Sequence, residues 1–81
     1  MGADSVDHLR RWARGITATE AATELLIRSF GGRFARAGNP WVRSDPDGQT
    51  WIEWECIPDS IGALSGGEQR LLRITASIGG G

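Results

Sequence analysis

The chain has 81 residues, a formal net charge of −1, one cysteine, and nine basic residues that are all arginine. The absence of lysine excludes phosphate-loop ATPases, Schiff-base enzymes and Ser-Lys hydrolases, and a single cysteine excludes an internal disulfide bond. No stretch approaches the roughly 18 consecutive apolar residues of a membrane span, and no basic start precedes an apolar run as in a signal peptide. We therefore expect one small cytoplasmic domain over residues 1–81, outside the membrane.

The first part of the sequence predicts two successive helices. Apolar residues recur at spacings of three and four from residue 5 to residue 14, and Gly15 is expected to end this helix. A second helix is expected to begin with a capping box, in which Thr17 accepts a main-chain hydrogen bond and Glu20 reaches back to the start. Gly31-Gly32 are expected to terminate it. Its predicted buried stripe, rich in small residues, consists of Ala18, Ala21, Ala22, Leu25, Leu26 and Ser29 or Phe30.

The middle of the sequence alternates apolar and polar residues and predicts a β-hairpin. Its strands would be Trp41–Arg43 and Gln49–Cys56, joined by a turn over Ser44–Gly48, which has the acids, proline and glycine of a type I turn. The expected core face of the second strand consists of Thr50, Ile52, Trp54 and Cys56. Trp51 is left on the opposite face. Pro58 is expected to stop the strand, with a short linker after it.

A final helix is predicted from Ser65 to Ile78, followed by a flexible tail over Gly79–Gly81. Ser65 and Glu68 have the spacing of a capping box, directly before an apolar stripe. The stripe consists of Leu71, Leu72, Ile74, Thr75 and Ile78. The order helix, helix, hairpin, helix predicts an α+β fold, in which a small two-stranded antiparallel ribbon packs on about three helices.

The segment ALSGGEQRLLR, from Ala63 to Arg73, resembles the signature motif of ABC-type ATPases. In that superfamily the serine and glycines open a helix and contact a nucleotide phosphate held by the facing domain. The resemblance implies an anion site formed by Ser65, Gly66 and Gly67, since free amides at a helix start can hold a phosphate. One hypothesis is therefore an accessory subunit that presents this helix to a partner's nucleotide. The alternative is that these residues only cap the helix.

A second resemblance covers more of the chain. It combines a Thr-Ala-Thr-Glu-Ala-Ala helix start at Thr17, a Trp-rich hairpin that follows Pro40, and the C-terminal segment ALSGGEQRLLRITASI. Together these features are similar to small proteins of actinobacteria and their phages, and the arginine-only basicity agrees with such a source. The resemblance brings no enzymatic activity. Small phage-encoded proteins often act by binding a host protein, so it implies a host partner.

The leading functional hypothesis is a non-catalytic protein-interaction module with no cofactor and no metal site. Trp51 is expected to be an outward indole, and tryptophan is enriched at interface centres. Gln69, Leu72 and Ile74 resemble the glutamine-plus-hydrophobic peptides that dock on the bacterial replication sliding clamp, which makes that clamp a candidate partner. The partner-binding candidates are Trp41, Trp51, Gln69, Leu72 and Ile74. A thin core also leaves a homodimer open.

Nucleic-acid binding is the alternative hypothesis. Seven of the nine arginines lie between residues 8 and 43. Arg10, Arg11 and Arg14 would form a basic face for phosphates, and a tryptophan could stack on a base. Glu53 and Glu55, which neighbour Trp51, would repel phosphates and disfavour this hypothesis.

Overall fold

The computed structural model describes residues 5–80, which form four α-helices and one two-stranded antiparallel sheet. The elements are α1 (Ser5–Ala13), α2 (Thr17–Arg28), β1 (Val42–Ser44), β2 (Thr50–Ile52), α3 (Ile57–Ser60) and α4 (Gly66–Gly80). Two 3₁₀ segments, Phe30–Ala35 and Trp54–Cys56, follow α2 and β2. The predicted α+β fold is confirmed. No helix within this described range is long and apolar enough to cross a membrane.

The core forms where α4 packs along α2 and against the Trp54–Cys56 segment, while α1 packs against β2 and α2. Its fully buried aliphatic side chains come from every helix: Leu9, Leu26, Ile57, Ile61 and Leu72. Trp41 joins them and is only 2% exposed. Its indole N–H donates to the carbonyl oxygen of Phe34 at 2.8 Å, so the one polar atom of this ring is paired inside the core.

The junction between α1 and α2 differs from the prediction in one respect. Gly15 follows α1 with a φ of 95°, as expected for a glycine that ends a helix. The capping box predicted for Thr17 and Glu20 is wrong. Thr17 is already helical, and Ile16 occupies the cap position without a side-chain hydrogen bond. The Glu20 carboxylate instead accepts a hydrogen bond from the Gly15 N–H at 3.1 Å, which ties the inter-helix turn to α2.

The buried face of α2 is rotated relative to the predicted stripe. Thr23 is buried, whereas Ala18 and Ala21 are exposed. Thr23 lies beside α1, where Arg10 of α1 pairs with Glu24 of α2 at 2.7 Å. The predicted close packing through Ala18 and Ala21 is therefore absent from the core.

The hairpin has the predicted turn. Arg43 pairs with Trp51 across the two strands, and the Gly48 N–H donates to the Asp45 carbonyl oxygen at 3.1 Å with Gly48 at a φ of 89°. The Asp45 carboxylate also accepts from the Gln49 N–H at 3.0 Å. The type I turn closed by glycine is confirmed, and the local acid serves the turn itself.

The second strand is shorter than predicted. β2 ends at Ile52, and Trp54–Cys56 forms a helical turn that runs directly into α3. Pro58 lies in the first turn of α3, where its missing N–H leaves no helical hydrogen bond unmade. The proline therefore opens a short helix that the sequence pattern did not indicate. Trp54 is buried as expected, although from a helical turn and not from the strand face.

The start of α4 is as predicted and its end is not. Ser65 and Glu68 form the reciprocal hydrogen bonds of a capping box, at 3.0 Å from the Ser65 N–H and 3.3 Å from the Glu68 N–H. The expected tail is wrong for Gly79 and Gly80, because α4 continues to Gly80; Gly81 lies outside the described residues. A Cβ added at Gly79 would overlap the Trp54 ring, so the absence of a side chain permits this close packing.

Candidate protein-interaction surface

An apolar and basic ridge lies on the outer side of α4. Ile74 is 47% exposed and Ile78 is 39% exposed, and their spacing of four places them one above the other on the helix. Arg70 and Arg73 are exposed beside them, and neither guanidinium has a carboxylate partner among residues 5–80. We call these four residues the α4 ridge.

The apolar stripe predicted for α4 is only partly buried, because Ile74 and Ile78 are exposed. The core side of α4 is a narrower stripe, in which Leu72 and Thr75 are completely buried. Because α2 and the Trp54–Cys56 segment already cover that side, the two isoleucines face away from the core. Their apolar area is therefore left uncovered by the described chain.

The only acid of α4 is used at the helix start, away from the ridge. Glu68 pairs with Arg33 at 3.2 Å and accepts the Ser65 N–H. Hydrogen bonds from the Ser65 main chain and side chain, followed by the charge of Arg33, lower the pKa of Glu68 below its ordinary value of 4.5. Glu68 is ionised at neutral pH, and the charges left on the outer side of α4 are both positive.

The same cap weakens the case for an anion site at the start of α4. The Glu68 carboxylate already occupies the Ser65 amide, and its negative charge would repel an incoming phosphate. Gly66 and Gly67 are exposed, and the Ser65 hydroxyl already accepts the Glu68 N–H at 3.3 Å. The geometry favours a structural cap over the nucleotide-presenting alternative, which stays a prediction.

The two tryptophans among the partner candidates are not free surface rings. Trp41 is buried, with its N–H bonded to Phe34. Trp51 is half-buried, and its N–H donates to the Glu53 carboxylate at 2.8 Å. Neither side chain contributes an unsatisfied polar group to a surface.

The segment that resembles clamp-binding peptides, from Gln69 to Ile74, is part of the helix α4. Gln69 donates through Nε2 to the Leu64 carbonyl oxygen at 2.9 Å, and Leu72 is completely buried. An extended docking peptide would need both side chains released, at the cost of the helix and of part of the core. Of the three clamp-like residues, Ile74 alone is presented to solvent.

The arginines of α1 do not form a purely basic face. Arg10 bonds the Glu24 carboxylate, and this hydrogen bond is the main reason why the pKa of Glu24 is lowered. Arg10 and Arg14 line one surface cavity together with Glu20 and Glu24. Arg11 is exposed. Interleaved carboxylates reduce the attraction for phosphates, so the nucleic-acid alternative gains no support from this placement.

An apolar groove shares Arg73 with the α4 ridge. It has a volume of about 420 Å³ and lies between α4 and the chain from Trp54 to α3. Trp54, Pro58 and Ala76 supply its apolar surface, with Arg73 and Gly80 along the α4 side. No local pattern indicates this groove, because it depends on the α3 helix and on the close packing of Gly79 and Gly80, neither of which was predicted. Ile78 was predicted as part of the apolar stripe of α4 and not as a partner-binding candidate, although it lies four residues after Ile74.

Within residues 5–80, no three histidine, cysteine or acidic side chains are grouped closely enough to hold a metal ion. No protein-family model matches the chain, and neither a curated protein nor a solved structure matches it. The surface is therefore interpreted from its own geometry.

Proposed function

We propose that this chain is a non-catalytic protein-interaction module and that the α4 ridge is its contact surface. The observation that carries the proposal is the pair of exposed isoleucines, Ile74 and Ile78, one helical turn apart on α4, together with Arg70 and Arg73, which have no carboxylate partner within residues 5–80. Covering the exposed part of each isoleucine would contribute about 1 kcal/mol. Interface centres favour apolar anchors together with arginine, and the ridge has both on one rigid helix.

The chemistry of the ridge favours a protein over a nucleic acid as the partner. Isoleucine offers neither a stacking plane nor a hydrogen bond to a base, whereas it packs well against an apolar protein surface. The resemblance of the chain to small proteins of actinobacteria and their phages agrees with this proposal, since such a protein would meet its partner in a bacterial host.

A capture experiment tests the ridge. Immobilised wild-type chain and an Ile74→Ser, Ile78→Ser double variant are each incubated with an actinobacterial lysate, and retained proteins are identified by mass spectrometry. Ile16→Ser is the matched control, because Ile16 is 60% exposed in the turn between α1 and α2, away from α4. Circular dichroism confirms that each variant is folded.

The expected result is a set of proteins retained by wild type and by Ile16→Ser and lost from the double variant. Equal recovery by the double variant would remove the ridge from the contact surface. A wild-type chain that retains nothing above bare beads would contradict the interaction module itself.

A further inference from the structure

We infer that the groove beside the ridge accepts one apolar side chain of the protein partner, held between a partner carboxylate at Arg73 and a partner cation at the Gly80 end. This inference rests on the proposed function and specifies the chemistry of the partner segment. It is carried by the shape of the groove and by the separation of charge along it.

The floor of the groove is built for a single apolar side chain. Trp54 is 8% exposed and lines the groove together with Pro58 and Ala76. A volume of about 420 Å³ that is open to solvent holds one large side chain with part of its backbone. The packed glycines Gly79 and Gly80 fix the indole against α4, so this surface is formed before a partner arrives.

The two ends of the groove have opposite charge. Arg73 is exposed at one end without an ion-pair partner in the described chain. At the other end, Glu55 and Gly80 line both the groove and an adjoining cavity of about 220 Å³, which Glu53 also lines. The last carbonyl groups of α4 add negative potential at that end. A segment that carries an acid and a base in the matching order is therefore attracted at both ends.

The length of the groove sets the spacing of these charges. Arg73 and Gly80 are seven residues apart on α4, which corresponds to roughly 10 Å at 1.5 Å per residue. An extended chain covers roughly that distance in three residues. The partner segment is thus an extended acid, apolar, base sequence in which the two charges are about three positions apart.

A second copy of this chain fits the surface less well. Two ridges in contact would bring two copies of Arg70 and of Arg73 together, while the only acid of α4, Glu68, is engaged at the helix start. Like charges across an interface oppose association. A partner with its own carboxylate satisfies Arg73 where a second ridge does not.

Peptide titration of the isotope-labelled full chain by NMR tests the inference. The probe is a capped peptide that contains Glu-Leu-Gly-Arg, with Gln-Leu-Gly-Gln and Glu-Ser-Gly-Arg as control peptides. We expect saturable shifts of the Trp54 indole N–H and of the Ala76 and Gly80 amides, with a dissociation constant below roughly 1 mM. Both control peptides are expected to bind several-fold more weakly.

A charge swap identifies the residue that binds the acid. Arg73→Glu is expected to weaken the Glu-Leu-Gly-Arg peptide about tenfold, and a Lys-Leu-Gly-Arg peptide is expected to recover binding to that variant. Arg14→Glu is the matched control, because Arg14 is exposed just after α1 and lines a different cavity, and it should bind the first peptide as wild type does.

Three results would overturn the inference: no saturable shift at several millimolar peptide, equal binding of the serine peptide, or equal weakening by Arg14→Glu. Shifts of the same signals with protein concentration alone would mean that a second copy occupies the groove. If the peptide does not bind but the ridge double variant still loses its captured proteins, the proposed function stands and only the assignment of the groove is wrong. If capture survives the ridge substitutions, the proposed function falls whatever the peptide does.

Discussion

The two ends of α4 are held in place by different means. At the start, Ser65 and Glu68 exchange hydrogen bonds over three residues of sequence. At the end, Gly79 and Gly80 lie against Trp54, a residue 25 positions earlier in the chain. The first arrangement needs particular polar side chains, and the second needs the absence of any side chain.

A terminal glycine run in a small domain can therefore belong to a packed helix. Glycine lowers helix propensity by about 1 kcal/mol relative to alanine, so a terminal run of glycines is typical of a flexible tail. Here the cost is offset because the helix backbone approaches an indole closely, and a tryptophan buries more apolar area than any other side chain. The same pair of glycines also shapes the groove beside the ridge.

The greatest loss of stability should come from a substitution at the C-terminal end of α4. Gly79→Ala should destabilise the fold by about 2 kcal/mol, because a Cβ would overlap the Trp54 ring and the overpacking outweighs the gain in helix propensity. Urea unfolding followed by circular dichroism measures the change, and tryptophan fluorescence reports the displaced indole. A variant more stable than wild type would mean that Gly79 lies in a frayed helix end and does not pack against Trp54.

How much of this helix the sequence predicts depends on the range of the interaction. The Ser65 cap is readable because its partner Glu68 is three residues away. The apolar stripe is readable as well, but which of its members are buried is not, because only the packing of α2 and Trp54 on α4 decides that Leu72 is buried and Ile74 is not. The groove was not predictable from local pattern, since it needs those same long-range neighbours.

The second effect concerns the capping hydrogen bond. Ser65→Ala removes the acceptor of the Glu68 N–H and should cost about 1 kcal/mol of unfolding free energy. Ser65→Asp is the matched control, since it keeps an acceptor at the cap and should lose much less. Urea unfolding of the three chains measures both changes. A loss with Ser65→Asp as large as with Ser65→Ala would show that the cap is not the cause.

The third prediction is an alanine substitution that stabilises the fold, in contrast to Gly79→Ala. A Cβ at Gly67 would meet no atom within 4 Å, and the residue lies in the first turn of α4. Gly67→Ala should therefore stabilise the chain by about 0.5 kcal/mol, through helix propensity and a less flexible unfolded state. Two glycines in one helix would then respond oppositely to one substitution in urea unfolding. If Gly67→Ala destabilises instead, the first turn of α4 has a contact that the described residues do not include.

The smallest effect is a difference in pH dependence: the stability contributed by the start of α4 should change with pH, and the stability contributed by its end should not. Because hydrogen bonds from Ser65 lower the pKa of Glu68, its contribution to stability is fully present above the ordinary value of 4.5 and is lost as pH falls through the lower folded value. The stability difference between wild type and Glu68→Gln should therefore shrink between neutral pH and pH values below 4.5. Glu24, whose pKa is also lowered, is present in both chains and cancels from this difference. The difference between wild type and Gly79→Ala should stay constant over the same range, since packing against Trp54 involves no titrating group. A constant difference for Glu68→Gln would mean that its carboxylate adds nothing to the cap beyond what a neutral amide supplies.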